Sequence, residues 1–177
     1  MEVAETINTN PKVDYIYTDE DKIDLDGSHV DTYYKPDWSP EHLESMMYVS
    51  HLIVIRKSLF YELGGMREQF SGAQDYDLAL RATRNTSNIV HIPKILYHWR
   101  KIPGSACAQV NAKPKALIAA KEALQEHIQV HYQGTAEVVD GKLPGIFRVK
   151  HQLLGTPTVT LLILTHNSIC LLYTSDA

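Results

Sequence analysis

The sequence predicts an α/β fold. Short β-branched runs at 13–17, 50–56 and 89–92 have strand length. Between and after them lie stretches with apolar residues at helical spacing, at 74–84 and 113–131. Glycine or proline stands near most of the junctions. With 177 residues, 44% of them hydrophobic and 21% charged, the chain can bury the core of one domain.

Taken in order, residues 1–12 read as the end of a helix, stopped at Asn10-Pro11. Val13 to Tyr17 is the first strand, and Asp19, Glu20 and Asp21 stand at its end. Asp24-Leu-Asp-Gly27 is a turn, with Gly27 supplying a positive φ. His29 to Tyr34 is a short second strand. Lys35-Pro-Asp-Trp-Ser-Pro40 has two prolines and is an ordered loop. A helical stretch opens at Pro40 or Glu41 with Ser39 as N-cap; its capping box is incomplete because His42 stands where Glu or Gln is wanted. Ser50 to Arg56 is a strand, and Lys57 to Leu63 a short helix stopped by Gly64-Gly65.

Gln74 to Arg84 is a helix entered from Gly72, with Asp75 and Asp77 in the first turn, where the helix dipole favours acids. Ile89 to Ile92 is a strand ended by Pro93, and Ile95 to Trp99 another short strand before a loop at 101–105. In the helix from Lys113 to His131, Leu117, Ala120, Leu124 and Ile128 repeat on one face. Gly134 to Lys150 is a hairpin region turning at Asp140-Gly141. Thr158 to Leu164 is an apolar strand.

Composition narrows the function. A net charge of −4 gives no ground for a nucleic-acid partner. Cys107 and Cys170 form no metal or redox pair in sequence, which fits a reducing compartment. No apolar run approaches a membrane span, and Met-Glu-Val-Ala-Glu lacks the basic, apolar character of a signal peptide.

Three adjacent acids repel one another, and burial raises their pKa. A divalent cation removes the conflict, and Mg²⁺ or Mn²⁺ takes hard oxygen ligands together with substrate phosphates. A solvated acidic turn is the plain alternative. An EF-hand fails: with Gly27 at its required place, Lys22 and Tyr33 fall where acids are needed. Asp75 at a helix start could accept a proton from a hydroxyl, while Asp77 and Arg81 have ion-pair spacing. His98 could join a metal shell and Arg100 meet a phosphate. His127 and His131 lack the Glu of a zinc-protease motif and read as a solvated helix face. Asn85-Thr-Ser87 matches a glycosylation triplet, common by chance.

In this order, Tyr17-Thr-Asp-Glu-Asp-Lys-Ile-Asp24, Lys35-Pro-Asp-Trp-Ser-Pro40, Gly64-Gly65, Gly72-Ala-Gln-Asp-Tyr-Asp-Leu78 and His91-Ile-Pro-Lys-Ile-Leu-Tyr-His-Trp-Arg100 resemble family-two glycosyltransferases. The nearest likeness is to bacterial enzymes of O-antigen and cell-surface polysaccharide assembly. The resemblance covers residues 1–107 densely. It implies a partial GT-A (Rossmann-like) fold, a mixed and mainly parallel sheet flanked by helices, and inverting sugar transfer. The expected ligands are Mn²⁺ or Mg²⁺, a nucleotide-sugar donor, and a glycan or lipid-linked acceptor. Carried over, Asp19 and Asp21 match the Asp-x-Asp that contacts nucleotide and metal, with Asp21 the foremost ligand. Asp75 matches the general base, and His98 a histidine of the metal or diphosphate shell. Arg100 is a phosphate candidate, and Trp38, Asp77 and Arg81 acceptor candidates.

The family's opening strand and turn have no match before Val13. Thr158-Val-Thr-Leu-Leu-Ile-Leu-Thr-His-Asn167 resembles them instead. The expectation is therefore a tandem protein: the C-terminal half of one transferase domain over 1–131, a linker over 132–156, and the truncated first strand of a second unit over 157–177. Such a half alone is expected to be inactive, and to expose a surface for self-association. The parent is expected in the cytoplasm, with the inner face of the plasma membrane as a peripheral contact. Two other readings are a non-catalytic metal- or glycan-binding half-domain and a nucleotidyltransferase. The latter wants a basic, Gly-rich loop ahead of the acids, and none is present.

Overall fold

A computed structural model describes residues 1–102 and 114–161. Its main sheet is built around β1 (Tyr15–Ile23). β4 (Ile89–Arg100) runs parallel to β1 along one edge, from Tyr15↔Ile89 to Ile23↔Arg100. The other edge is shared by two antiparallel strands. β3 (Ile53–Ile55) pairs with Tyr15 to Tyr17, and β2 (His29–Tyr33) with Glu20 to Ile23. The result is the mixed sheet of an α/β fold, as expected, but with one parallel and two antiparallel pairings it is not the mainly parallel sheet that the resemblance implies.

Three strands have other boundaries than expected, and of Ser50 to Arg56 only Ile53–Ile55 is strand. β1 does not end before the acids; it carries all three inside the ladder. Pro93 does not end β4 either. Thr18 pairs with Ile92 and Asp19 with Ile95, so Pro93 and Lys94 are bulged out of register. A bulge is where a strand tolerates a residue without an N–H. Lys94 reaches from the bulge to Glu2 of α1 (Glu2–Thr9) at 2.6 Å.

Strand alternation sorts β1 onto two faces. Tyr15 and Tyr17 enter the larger core with Leu43, Tyr48, Leu80, Leu124 and Ile128. Ile16 joins Val13 and Ile92 in a smaller cluster that also takes Val3 of α1. The larger core is closed by α2 (Pro40–Leu43), α3 (Lys57–Glu62), α4 (Gln74–Asn85) and α5 (Pro114–Tyr132). Ser39 is the N-cap of α2, its hydroxyl accepting from His42 N at 3.2 Å. The 132–156 stretch holds the expected hairpin, β5 (Ala136–Asp140) with β6 (Phe147–His151), and Phe147 is buried in the same core. Residues 152–161 carry no helix or strand after His151. Of the expected strand from Thr158 to Leu164, the described part is therefore not a strand, and the remainder, with Cys107 and Cys170, lies outside the described residues. Among the described residues no helix is long and apolar enough to cross a membrane.

His127 is a correction. It is buried rather than solvated, because α5 packs it against Glu44 just beyond α2, with Nε2 3.3 Å from Oε1. The Tyr132 hydroxyl donates to the same carboxylate at 3.0 and 3.2 Å. His131 remains exposed.

α4 is tied to the turn before it by ions. Asp77, 1% exposed, accepts from Arg81 Nη2 at 2.6 Å and from Arg67. Arg81 also donates to the carbonyls of Leu63 and Gly65, both at 2.7 Å, so the helix grips the Gly64-Gly65 turn. Burial works against the Asp77 charge, but hydrogen bonds and charges from Arg67 and Arg81 outweigh it and hold the carboxyl below its usual 3.8. Asp77→Ala strands two buried or half-buried guanidinium groups and should cost about 3–5 kcal/mol, read from urea unfolding. Because the folded pKa is depressed, Asp77 stabilises the fold fully above its ordinary value and loses that effect as pH falls through the folded one. The stability gap between wild type and Asp77→Asn should therefore narrow below pH 3.8.

Candidate functional site

The middle of β1 is polar yet enclosed: Thr18, Asp19, Glu20 and Asp21 are 0%, 2%, 8% and 4% exposed. Each acid has its own partners. Asp19 Oδ1 accepts from the Lys35 backbone N–H at 3.0 Å and meets His91 Nε2 at 2.8 Å. His91 stacks on Tyr17, ring centroids 4.6 Å apart. Glu20 Oε2 accepts from the Lys35 ammonium at 3.1 Å and from His51 N at 2.8 Å. Lys35 Nζ is completed by the carbonyls of Val49, at 2.8 Å, and His51, at 2.5 Å.

These bonds also shape the loop at 34–40. Lys35 is pulled in by both its backbone and its ammonium. The Tyr17 hydroxyl donates to Pro36 O at 2.7 Å, and Ser39 N donates to the Tyr48 hydroxyl at 3.0 Å. Trp38 then lies against Tyr48, half-buried at the edge of the loop.

Asp21 is treated differently. Oδ1 is 2.5 Å from His98 Nδ1 and Oδ2 is 2.7 Å from His29 Nδ1. β4 brings His98 into register opposite Asp21, while β2 returns from the Asp24–Ser28 turn with His29 opposite Ile23. Donor atoms of Asp21, His29 and His98 lie within 4.8 Å of one another, the cluster among the described residues that could hold a metal ion. The carboxylate is deep and the imidazoles open: the side chains are 5%, 54% and 42% exposed. Burial raises the Asp21 pKa, but hydrogen bonds and charges from His98 and His29 overcome it and hold the carboxyl below its ordinary range. Glu20 is lowered too: burial opposes its charge, and His51 and Lys35 outweigh that. Lys35 is lowered by burial against the pull of Glu20.

The structure thus joins Asp21 and His98, which the sequence separates by 77 positions. Asp19 stands two residues before Asp21 on β1, but its hydrogen-bond partners are the Lys35 N–H and His91. Arg100 is exposed, two residues beyond His98 and so on the same strand face. Asp75 stands in the first turn of α4, with Oδ1 accepting from Tyr76 N at 2.9 Å. Among the described residues no hydrogen bond links it to Asp21. Its charge reaches Tyr15, whose fully buried hydroxyl has no hydrogen-bond partner among the described residues; burial first, then Asp75 and Tyr48, push that phenol far up. Gly72, just before α4, has φ +98°, and a Cβ there would meet Ala116 Cβ of α5 at 3.1 Å. Asp77 and Arg81, two of the three acceptor candidates, are engaged in the buried ion cluster with Arg67. His29, His91 and His51 were not anticipated. The one signal for His29 is a histidine placed just after a tight turn that sends the chain back along the acidic strand.

No family model matches the chain. Over 167 residues it is 42% identical to an uncharacterized protein, y4gI, of Sinorhizobium fredii, covering 93% of this chain and 18% of that protein. Over 162 residues it is 38% identical to the O-antigen biosynthesis protein RfbC of Myxococcus xanthus, covering 92% of this chain and 12% of that protein. The chain thus spans less than a fifth of the length of these curated relatives.

The scaffold can be tested apart from any activity. Lys35→Met removes the ammonium that Glu20, Val49 O and His51 O share, and should destabilise the chain by about 3–5 kcal/mol. Adding Glu20→Gln should recover part of that loss, giving a coupling energy above about 0.5 kcal/mol in a double-mutant cycle by urea unfolding.

Proposed function

We propose that the chain carries the metal- and acceptor-side half of an inverting glycosyltransferase of family-two type, with a GT-A fold, acting in cell-surface polysaccharide synthesis. The carrying observation is the convergence of Asp21 and His98, from two motifs far apart in sequence, onto one half-open cluster at adjacent strands. The similarity to an O-antigen biosynthesis protein of Myxococcus xanthus supports the polysaccharide context.

The donor set suits a divalent cation: one carboxylate and imidazole nitrogens, arranged with an open side. A bound Mn²⁺ or Mg²⁺ would act as a Lewis acid on the diphosphate of a nucleotide-sugar, neutralising charge as the leaving group departs. Asp21 and His98 hold that position. Arg100, exposed on the same face of β4 as His98, offers a bidentate donor to a phosphate oxygen. Asp75, held by the Tyr76 N–H at the start of α4, takes the proton of the acceptor hydroxyl. The acceptor oxygen attacks the anomeric carbon from the face opposite the diphosphate, and the anomeric carbon–oxygen bond breaks. One displacement inverts that centre. Trp38 offers an aromatic face to a sugar ring at the rim. Asp19 orders the loop that carries Trp38, through the Lys35 N–H.

The test is nucleoside diphosphate release by the full-length gene product from a panel of nucleotide-sugars with Mn²⁺ and a glycan or lipid-linked acceptor. Asp75→Ala should lower kcat by about 10²–10⁴-fold, and Asp21→Ala should abolish metal-dependent turnover. Turnover unchanged by either substitution would sink the corresponding role. Metal binding without turnover on any donor would favour a non-catalytic binding module.

A further inference from the structure

His29 belongs to none of the motifs that suggest the function, yet it is as close to Asp21 as a hydrogen bond allows. We infer that His29 is a third protein ligand, making the centre a two-histidine, one-carboxylate site that takes Mn²⁺, Co²⁺ or Zn²⁺ in preference to Mg²⁺. This rests on the reading that Asp21 and His98 hold a metal.

The argument begins with direction. β4 and β2 flank β1 on opposite edges in this stretch, so the two imidazoles reach the carboxylate from two sides. Their rings are edge-on, 84° apart with centroids at 4.7 Å, and each directs Nδ1 at a different oxygen of Asp21. Three donors meet around one point, and the more exposed imidazole edges leave one side for water or substrate oxygens. Three protein ligands with an open position is the arrangement of catalytic metal sites.

The hairpin that presents His29 is braced rather than loose. Asp24 N donates to Ser28 O at 2.9 Å, and Ser28 donates from N and Oγ to Asp26 Oδ1 at 2.9 and 2.6 Å. Lys22 Nζ lies 3.3 Å from Asp31 Oδ2, and Lys101 Nζ stands 3.6 and 3.8 Å from Asp24 and Asp31. The ladder pairs Lys22 with Val30 and Ile23 with His29. Ligand identity then sets the metal. Mg²⁺ wants an oxygen octahedron and gives up water reluctantly, whereas imidazole suits later divalent ions.

The experiment titrates the metal-free 177-residue chain with Mn²⁺, Co²⁺, Zn²⁺ and Mg²⁺ by calorimetry, with the visible absorption of Co²⁺ as a second readout. Wild type should bind one Mn²⁺ or Co²⁺ per chain and bind Mg²⁺ more weakly. His29→Ala should weaken Mn²⁺ at least about tenfold and alter the Co²⁺ spectrum, while circular dichroism stays unchanged because His29 is exposed. Should the alanine variant misfold, His29→Gln, which keeps a hydrogen bond to Asp21, decides in its place. Wild-type Mn²⁺ affinity in both variants, or equal affinity for Mg²⁺ and Mn²⁺, overturns the inference. If binding is then still lost in Asp21→Ala and His98→Ala, the two-ligand reading survives its failure. No metal binding by wild type removes both.

Discussion

Three consecutive carboxylates inside a paired, buried strand are the constraint on which this structure depends. An uncompensated ion in such a place costs several kcal/mol. Each acid therefore needs a positive or N–H-bearing partner, and β1 is too crowded to supply one. Asp19 takes the Lys35 N–H and His91, Glu20 takes the Lys35 ammonium and the His51 N–H, and Asp21 takes His29 and His98. The partners come from β2, from the 34–40 loop, from the approach to β3 and from β4. Every neighbour of β1 in the sheet is thus fixed by an acid as well as by the ladder.

That constraint explains what was legible in the sequence and what was not. The α/β class, the hairpin and the long helix follow from local periodicity and turn residues, which need no knowledge of partners. The extent of β1 does not. Asp19-Glu-Asp21 looks like the end of a strand until cations and N–H groups arrive from residues as distant as His98. The predicted strand over Ser50–Arg56 shrinks to Ile53–Ile55 for the same reason. The backbone of Val49 and His51 is diverted to Lys35 and Glu20, and groups spent on side chains are not available to a ladder. Pro93 misleads because a bulge costs β4 only a local slip in register. His127 misleads because helical spacing says which side of α5 it shares, but not that Glu44 waits there.

The two acids at the start of α4 show how close structural and functional candidates can lie. Asp75 and Asp77 are two residues apart, so a helix turns them to different sides. Asp77 points inward and is consumed by Arg81 and Arg67, locking the helix to the Gly64-Gly65 turn. Asp75 stays half-exposed and, among the described residues, accepts a hydrogen bond from the neighbouring Tyr76 N–H alone. The sequence offers both as site residues because each has the right chemistry in the right turn. Burial separates them: Asp77 is enclosed and builds the platform, while Asp75 is half-exposed. Arg81 follows Asp77 into the platform, since its guanidinium bonds are already taken up by one carboxylate and two carbonyls.

The same division runs through the acidic triplet itself, and it sets Asp21 apart from the other two acids. The partners of Asp19 and Glu20 are backbone N–H groups, the fully buried Lys35 ammonium and the enclosed His91 imidazole stacked on Tyr17. The partners of Asp21 are two imidazoles on exposed side chains. An imidazole can hand a carboxylate over to a cation and bind that cation itself through the same nitrogen, and the rings on Asp21 are open to solvent where the His91 ring on Asp19 is enclosed. Asp19 and Glu20, held rigidly on either side of the strand, fix the backbone from which Asp21 projects, so a ligand set assembled there needs little reordering on binding. A strand of three acids is in this sense two carboxylates held by buried partners and a third, Asp21, held by exposed ones.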